Sequence, residues 1–149
     1  MNKPKRFIIF LGIAVIIIDQ VAKWSWRVFF KDFLLINPGG VFGLAVWQNI
    51  PQLLFVAISV IVALLLWRYE RSGVKTPITQ GIALIIGGIL SNALDRIFFG
   101  GVLDFIRFRL GVYEWPAFNI ADLAIVIGVF LVIIGYFLEN KNRYVSSSK

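Results

Sequence analysis

The sequence contains no cysteine and no histidine, and these two absences restrict the chemistry that it can carry out. Disulfide bonds cannot form without cysteine, so cysteine usage says nothing about the compartment. Cysteine proteases and Ser–His proteases are excluded, because each needs one of the missing residues. A zinc protease that holds its metal with two histidines on one helix is excluded for the same reason. Any hydrolytic chemistry must therefore use carboxylates, serine, lysine or tyrosine.

Charged residues are also scarce, at 15% of the 149 residues, whereas 59% of the residues are hydrophobic. Soluble domains are roughly 45–50% apolar, so this composition indicates a membrane protein. The formal net charge is +7, but the basic residues form no stripe of the kind that binds nucleic acid. We therefore expect no nucleic-acid partner, and we read the basic excess as a sign of membrane topology.

Four apolar segments are each close to the roughly 20 residues that a membrane-spanning helix needs. They lie at 7–26, 51–67, 77–95 and 118–138, within a single predicted domain, 1–149, that ends in a polar tail at 140–149. Between them, residues 28–48 predict a small extended or hairpin element, and residues 98–116 predict an amphipathic segment at the interface. The predicted fold is an all-α membrane protein with four transmembrane helices, a small extracytoplasmic β-like or loop element and an interfacial amphipathic segment.

The distribution of charge over the connecting segments predicts the topology. The two termini and the connection between the second and third apolar segments hold nine basic residues and two acids, whereas the other side holds six of each. The positive-inside rule then assigns both termini to the cytoplasm. Six of the eight acids consequently lie on the outer side.

Polar residues recur at helical spacing near the predicted outer ends of three helices. The sets are Asp19 with Lys23, Asn92 with Asp95 and Arg96, and Asn119 with Asp122. Residues three or four positions apart share a helix face, so we expect an ion pair within the first set. Asp95 with Arg96 could cap and orient the end of the third helix.

Two acids, Asp104 and Asp122, lie in apolar runs, and Asp122 has no cation three or four positions away. Two carboxyl groups that share a site hold one proton between them, which suits the activation of water in an aspartic protease. Buried acids also mark proton- or ion-coupled transport, so a non-enzymatic transport or assembly protein remains an alternative. A Ser–Lys hydrolase using Ser25 or Ser91 with Lys23 is a further alternative, although residues two positions apart do not face each other on a helix.

Five sequence blocks resemble, in order, the motifs of the lipoprotein signal peptidase (signal peptidase II) family of intramembrane aspartyl proteases. The blocks are Asp-Gln-Val-Ala-Lys at 19–23, Asn-Pro-Gly-Gly-Val-Phe-Gly at 37–43, Ser-Asn-Ala-Leu-Asp-Arg at 91–96, Val-Leu-Asp-Phe at 102–105 and Phe-Asn-Ile-Ala-Asp at 118–122. One block would be weak, but five in order are specific. In two places the chain departs from the pattern: Ser91 stands where the motif begins with glycine, and the segment between the first two blocks is short.

The resemblance implies roles for individual residues. The catalytic pair would be Asp104 with Asp122, and Asp95 with Asp122 is the second choice. Three further sets match the family's substrate-binding and supporting positions: the pocket-lining residues Asn92, Arg96 and Asn119, the outer-loop residues Asn37 and Gly39, and the supporting residues Asp19, Lys23 and Asp95.

The resemblance also implies a substrate, inhibitors and a location. The substrate would be a prolipoprotein whose cysteine carries a diacylglyceryl group, cut just before that cysteine at the depth of the lipid interface. No metal or cofactor would be needed, membrane lipid would surround the protein, and the cyclic peptide globomycin would inhibit it. The implied location is the bacterial cytoplasmic (inner) membrane, with the active site at its outer face.

Overall fold

The computed structural model describes residues 3–31, 35–38, 51–69 and 76–147. Within these ranges it contains four long helices, α1 (Lys3–Phe29), α2 (Gln52–Tyr69), α3 (Thr76–Phe99) and α4 (Ile120–Ser147). Each helix is long and apolar enough to cross a membrane. The polar tail at 140–149 is helical as far as Ser147. The expected all-α membrane fold is confirmed.

Four short strands form two antiparallel two-stranded sheets at one end of the helices. Strand β1 (Ile36–Asn37) pairs with β2 (Val102–Leu103), and β3 (Ile106–Leu110) pairs with β4 (Tyr113–Phe118). The hairpin between β3 and β4 turns at Gly111, whose φ of 60° favours glycine. The amphipathic segment expected at 98–116 thus consists of the end of α3, strand β2 and most of this hairpin. Part of the element expected at 28–48 lies outside the described residues.

Local signals define the helix ends near these sheets. Gly100, with a φ of 70°, terminates α3, and its backbone N–H donates to the carbonyl of Arg96 at 3.2 Å. Asn119 caps the start of α4, because its side-chain oxygen accepts from the backbone N–H of Asp122 at 3.0 Å. Phe118 belongs to β4 for that reason, and α4 starts at Ile120.

Helix α3 lies at the centre of the bundle and packs against α1, α2 and α4. Glycines bring its backbone close to its neighbours: a Cβ atom on Gly88 would lie 2.5 Å from the carbonyl oxygen of Ala121 on α4. An apolar core surrounds Ile8, Ile78, Ile82 and Ala83 near the start of α1 and α3. The opposite end of the bundle, where α1 and α3 end and α4 begins, contains most of the buried polar residues, and we call it the polar end.

Candidate active site

Asp104 occupies the turn between β2 and β3 at the polar end and is only 5% exposed. Its carboxylate accepts hydrogen bonds from the amide of Asn37 at 3.0 Å and from the amide of Asn119 at 2.8 Å. Its backbone N–H donates to the carbonyl of Leu35 at 3.0 Å, which continues the pairing of β1 with β2. The short sheet therefore carries Asn37 to Asp104 across 67 residues of sequence.

The environment of Asp104 raises its pKa from the ordinary value of 3.8 to about 6. Burial is the main cause, since it disfavours the charged form. The hydrogen bond from Asn37 lowers the pKa, the nearby charge of Asp122 raises it, and the hydrogen bond from Asn119 lowers it. Asp104 can therefore hold a proton at a pH where an ordinary aspartate has lost it.

Asp122 lies in the first turn of α4 and is held by a reciprocal capping arrangement. The backbone N–H of Asn119 donates to Asp122 Oδ2 at 3.1 Å, while the Asn119 side chain caps the helix through the N–H of Asp122. The other oxygen of Asp122 accepts a hydrogen bond from the amide of Asn92 at 2.8 Å. Asp122 is partly exposed, so solvent can reach it.

Asn119 joins the two acids. Its amide N–H donates to Asp104, its amide oxygen accepts from the backbone of Asp122, and its backbone N–H donates to the carboxylate of Asp122. This residue is fully buried, which restricts it to these partners. The two carboxyl groups thus share one asparagine, and each is aimed by neutral amides.

A buried ion cluster lies behind the two acids. Lys23 is 0% exposed and contacts Asp19 at 2.6 Å and Asp95 at 3.1 Å. Arg27 contacts Asp95 at 3.2 Å, so the cluster contains two acids and two bases. Buried charges are costly unless they are paired, and here each has an opposite partner. The expected helix-face ion pair between Asp19 and Lys23 is confirmed.

Asp95, which we expected to cap and orient the end of the third helix with Arg96, makes ion pairs with another helix. Asp95 turns to Lys23 and Arg27 on α1, and it also accepts from the backbone N–H of Leu103 at 3.1 Å. Neighbouring residues on a helix point in different directions, and Arg96 donates to the carbonyl of Asn92 on its own helix. The bond to Leu103 holds the strand that leads directly into Asp104.

Arg96 lies one helical turn after Asn92 on α3, near the two acids. Its guanidinium donates to the carbonyl of Asn92 at 3.2 Å and lies over the ring of Phe55 on α2, 5.1 Å from the centroid. It is close enough to interact with the charges of Asp122 and Asp104. Arg96 therefore belongs to the same polar end as the two acids.

Of the site residues expected from the sequence, all but one lie together at the polar end. They are Asp19, Lys23, Asn37, Asn92, Asp95, Arg96, Asp104, Asn119 and Asp122. Gly39 lies outside the described residues. Nowhere in the described ranges do three or more Asp or Glu side chains form a group that could hold a metal ion.

Sequence reasoning assigned no role to two members of this network. Arg27 joins the ion cluster, and Gln20 donates through its amide to Ser91 and to Asp95 Oδ1, at 3.1 Å and 3.2 Å respectively. Arg27 could have been found, since Asp19, Lys23 and Arg27 follow one another at intervals of four residues and share a helix face. No local signal identifies the partner of Gln20, because that partner lies on another helix.

Comparisons with known proteins identify the family. A family model described as signal peptidase (SPase) II matches residues 11–138. A lipoprotein signal peptidase of Desulforapulum autotrophicum is 41% identical over 117 residues, which cover 76% of this chain and 72% of the relative. A lipoprotein signal peptidase of Paraburkholderia phymatum is 36% identical over 139 residues, which cover 83% of this chain and 84% of the relative. A bacterial membrane enzyme, solved by the in meso method at 2.3 Å resolution, superposes with a TM-score of 0.75 at 28% identity, covering 91% of this chain and 90% of the other. The chain belongs to the signal peptidase II family.

Proposed function

We propose that this protein is an intramembrane aspartic endopeptidase that removes signal peptides from prolipoproteins. The family membership supports the substrate class. The observation that supports the chemistry is the joining of Asp104 and Asp122 through the side chain of Asn119. Two carboxyl groups held by one neutral residue can share a single proton, as water activation requires.

In the proposed mechanism the two acids have different roles. Asp104 holds the proton and donates a hydrogen bond to the scissile carbonyl, which its pKa of about 6 supports. Asp122, the more accessible of the two, is ionised and takes a proton from the attacking water. Hydroxide adds to the carbonyl carbon to give a tetrahedral intermediate. The C–N bond is cleaved when this intermediate collapses. The proton held by Asp122 then passes to the departing amine, and Asp104 is ready for another cycle once the products leave.

The other site residues would hold the substrate or support the acids. Asn37, Gly39, Asn92, Arg96 and Asn119 would contact the substrate backbone or an inhibitor around the reacting carbonyl. The hydrogen bonds that Asn37, Asn92 and Asn119 make with the two acids support this role, because the amides lie next to the proposed catalytic groups.

The remaining polar-end residues favour Asp104 over Asp95 as the partner of Asp122. Asp95 is fully buried and engaged by Lys23 and Arg27, so its carboxylate is committed to cations. Asp19, Lys23 and Asp95 would therefore support the site from behind. The same ion pairs argue against Lys23 as the base of a Ser–Lys hydrolase, because its amine group is engaged by the carboxylates of Asp19 and Asp95.

The proposed substrate carries a diacylglyceryl group on the cysteine that follows the cleaved bond. Four helices with lipid-facing apolar surfaces and a polar site at one end suit such a substrate. Its acyl chains would lie among the helices and hold the scissile bond at the depth of the acids, which lowers the entropic cost of reaction. Globomycin-type inhibitors would occupy the same site. The protein would span the bacterial inner membrane with both termini in the cytoplasm and the polar end outside.

A gel-shift assay tests the proposal. Purified protein in detergent is mixed with a diacylglyceryl-modified prolipoprotein, with and without globomycin. Wild-type protein should cleave it, and Asp104→Asn and Asp122→Asn should each lower turnover by roughly a thousandfold or more, because either removes one member of the pair. Glu114→Gln, an exposed acid on β4, is the matched control and should keep wild-type turnover.

The outcomes separate the alternatives. Activity retained in both Asn variants would make the assignment of the pair wrong. Folded wild-type protein that cleaves nothing, but supports an Asp104-dependent flux in proteoliposomes, would favour a transport protein instead.

A further inference from the structure

Ser91 is a fully buried serine of α3 whose hydroxyl reaches another helix. Its Oγ donates to Asp19 Oδ2 at 2.7 Å and accepts from the amide of Gln20 at 3.1 Å. Both partners lie on α1, about 70 residues away in sequence, and the side chain is 0% exposed. The same amide of Gln20 also donates to the backbone carbonyl of Ser91 at 3.1 Å.

A serine inside a helix ordinarily satisfies its hydroxyl on its own helix, by donating to a carbonyl one turn back. Ser25 does so, since its Oγ donates to the carbonyl of Val21 at 2.8 Å. Ser91 instead donates to a buried carboxylate. Hydrogen bonds to charged groups are stronger than bonds between neutral groups, so this contact has more influence on its partner.

Asp19 connects Ser91 to the polar end of the bundle. Its Oδ2 receives two donors, Ser91 and Lys23, while its Oδ1 accepts from the backbone N–H of Ala121 at 3.0 Å. Ala121 immediately precedes Asp122. The carboxylate of Asp19 therefore touches the turn of α4 that carries one of the two proposed catalytic acids.

Lys23 provides a second connection from Asp19 to Asp122. Its ammonium group has three donors, and the structure directs them to Asp19, to Asp95 and to the side-chain oxygen of Asn92, the last at 2.9 Å. The amide of Asn92 then donates to Asp122 Oδ1 at 2.8 Å. The orientation of the Asn92 side chain is thus determined by Lys23 on one side and Asp122 on the other.

We propose that Ser91 is a positioning residue, whose hydroxyl holds the Asp19 carboxylate so that Lys23 stays directed at Asn92 and Asn92 at Asp122. Without the hydroxyl, Asp19 Oδ2 would have Lys23 as its remaining side-chain donor and would draw the ammonium group towards itself. The bond from Lys23 to Asn92 would weaken, and Asp122 would lose its fixed amide donor. Glycine, which the motif has at this position, cannot make this bond, so the hydroxyl is a feature of this chain. The inference rests on the proposed function.

Steady-state cleavage of a diacylglyceryl-modified prolipoprotein tests the proposal. Ser91→Ala should lower kcat by about three- to tenfold, because only part of the free energy of the lost hydrogen bond is transmitted through Lys23 and Asn92 to Asp122, with KM unchanged within about twofold. We expect kcat to fall without a change in KM because Ser91 is fully buried and cannot contact a substrate. Ser91→Gly should behave like Ser91→Ala, and Ser91→Thr, which keeps a hydroxyl, should recover most of the lost kcat.

Ser25→Ala is the matched control, because it removes a hydroxyl that serves only its own helix. It should change neither kcat nor KM. The unfolding temperature of every variant is measured alongside, so that a loss of folded protein is separated from a loss of turnover.

A kcat of Ser91→Ala equal to that of the wild type would overturn the proposal, as would a loss confined to KM. A fall in kcat matched by an equal loss of folded protein would overturn it too, since it would show a role in packing alone. These outcomes differ from failure of the proposed function, in which the wild-type protein itself leaves the prolipoprotein uncut.

Discussion

Three asparagines organise the two proposed catalytic acids. Asn37 and Asn119 donate to Asp104, and Asn92 donates to Asp122, each over 2.8–3.0 Å. A neutral amide aims a carboxylate without contributing a full charge, whereas a cation would keep the carboxylate ionised. The cations Lys23 and Arg27 are instead paired with Asp19 and Asp95. This separation leaves Asp104 able to carry the proton that the proposed mechanism needs.

The raised pKa of Asp104 predicts how cleavage depends on pH. The protonated form of Asp104 is the reactive one, and it is lost as the pH rises through about 6. The value of kcat/KM should therefore fall above that pH, approaching a tenfold loss per pH unit. A pH–rate profile of the wild-type protein measures this, and its apparent pKa belongs to the pair of acids.

Glu114→Gln should give the same pH profile as the wild type, since its side chain is exposed on the hairpin. A rate that stays constant from pH 6 to about pH 8.5, well beyond the pKa of Asp104, would contradict the assignment of the proton to Asp104.

Helices α3 and α4 approach each other through glycines. Cβ atoms built on Gly81 and Gly128 would each collide with the carbonyl oxygen of the other, and one on Gly88 would lie 2.5 Å from that of Ala121. Small residues permit such approach in membranes, where close packing replaces the hydrophobic effect as the source of helix association. The separation of α3 and α4 thus decides how far Asp122 lies from Asn92.

Gly88→Ala should push these two helices apart near the acids. The added methyl group would also lie 2.7 Å from the side chain of Ile125, so backbone must move. We expect a loss of about 1–3 kcal/mol in stability, typical of overpacking, and at least about a tenfold fall in cleavage. Thermal unfolding and the gel-shift assay measure the two effects.

Gly12→Ala is the control for this element, because its Cβ would meet the carbonyl oxygen of Ala83 at an ordinary 3.6 Å. It should leave the thermal stability and the rate of cleavage near those of the wild type. If Gly88→Ala does the same, the close approach of α3 and α4 is not required for activity.

The helix bundle has an apolar end and a polar end. An apolar core fills one end of the bundle, and the polar end contains the buried acids, amides and cations. The apolar residues exposed along α1, α2 and α4 face outward, as they do when lipid is the solvent. The basic excess lies towards the end that carries the apolar core, which is the basis of the proposed cytoplasmic orientation.

Single cysteines test this orientation, because the native chain has none. Tyr113→Cys lies on the exposed hairpin, and Lys141→Cys lies exposed near the opposite end of α4. A membrane-impermeant maleimide should label the first in intact spheroplasts and the second only after permeabilisation. The cysteine-free parent should remain unlabelled, and the reverse pattern would invert the proposed topology.

Much of this protein is determined by local rules that can be read in its sequence. Four apolar segments predict four helices because the lipid requires every backbone group to be satisfied within a helix. The ion pair of Asp19 with Lys23 follows from their spacing on one helix, and the capping of α4 by Asn119 involves residues three positions apart. These contacts form wherever the helix forms, so no knowledge of the packing is needed.

The tertiary structure alone decided the remaining contacts. Asp95 pairs across helices with Lys23 and Arg27, Ser91 reaches Asp19, and Asn37 reaches Asp104 through the pairing of β1 with β2. Each joins residues about 70 positions apart, and each depends on which helix faces meet and in which strand register. Packing against the glycines of α3 and the pairing of two short strands set that geometry, and no local pattern in the sequence identifies which helix faces and which strands meet.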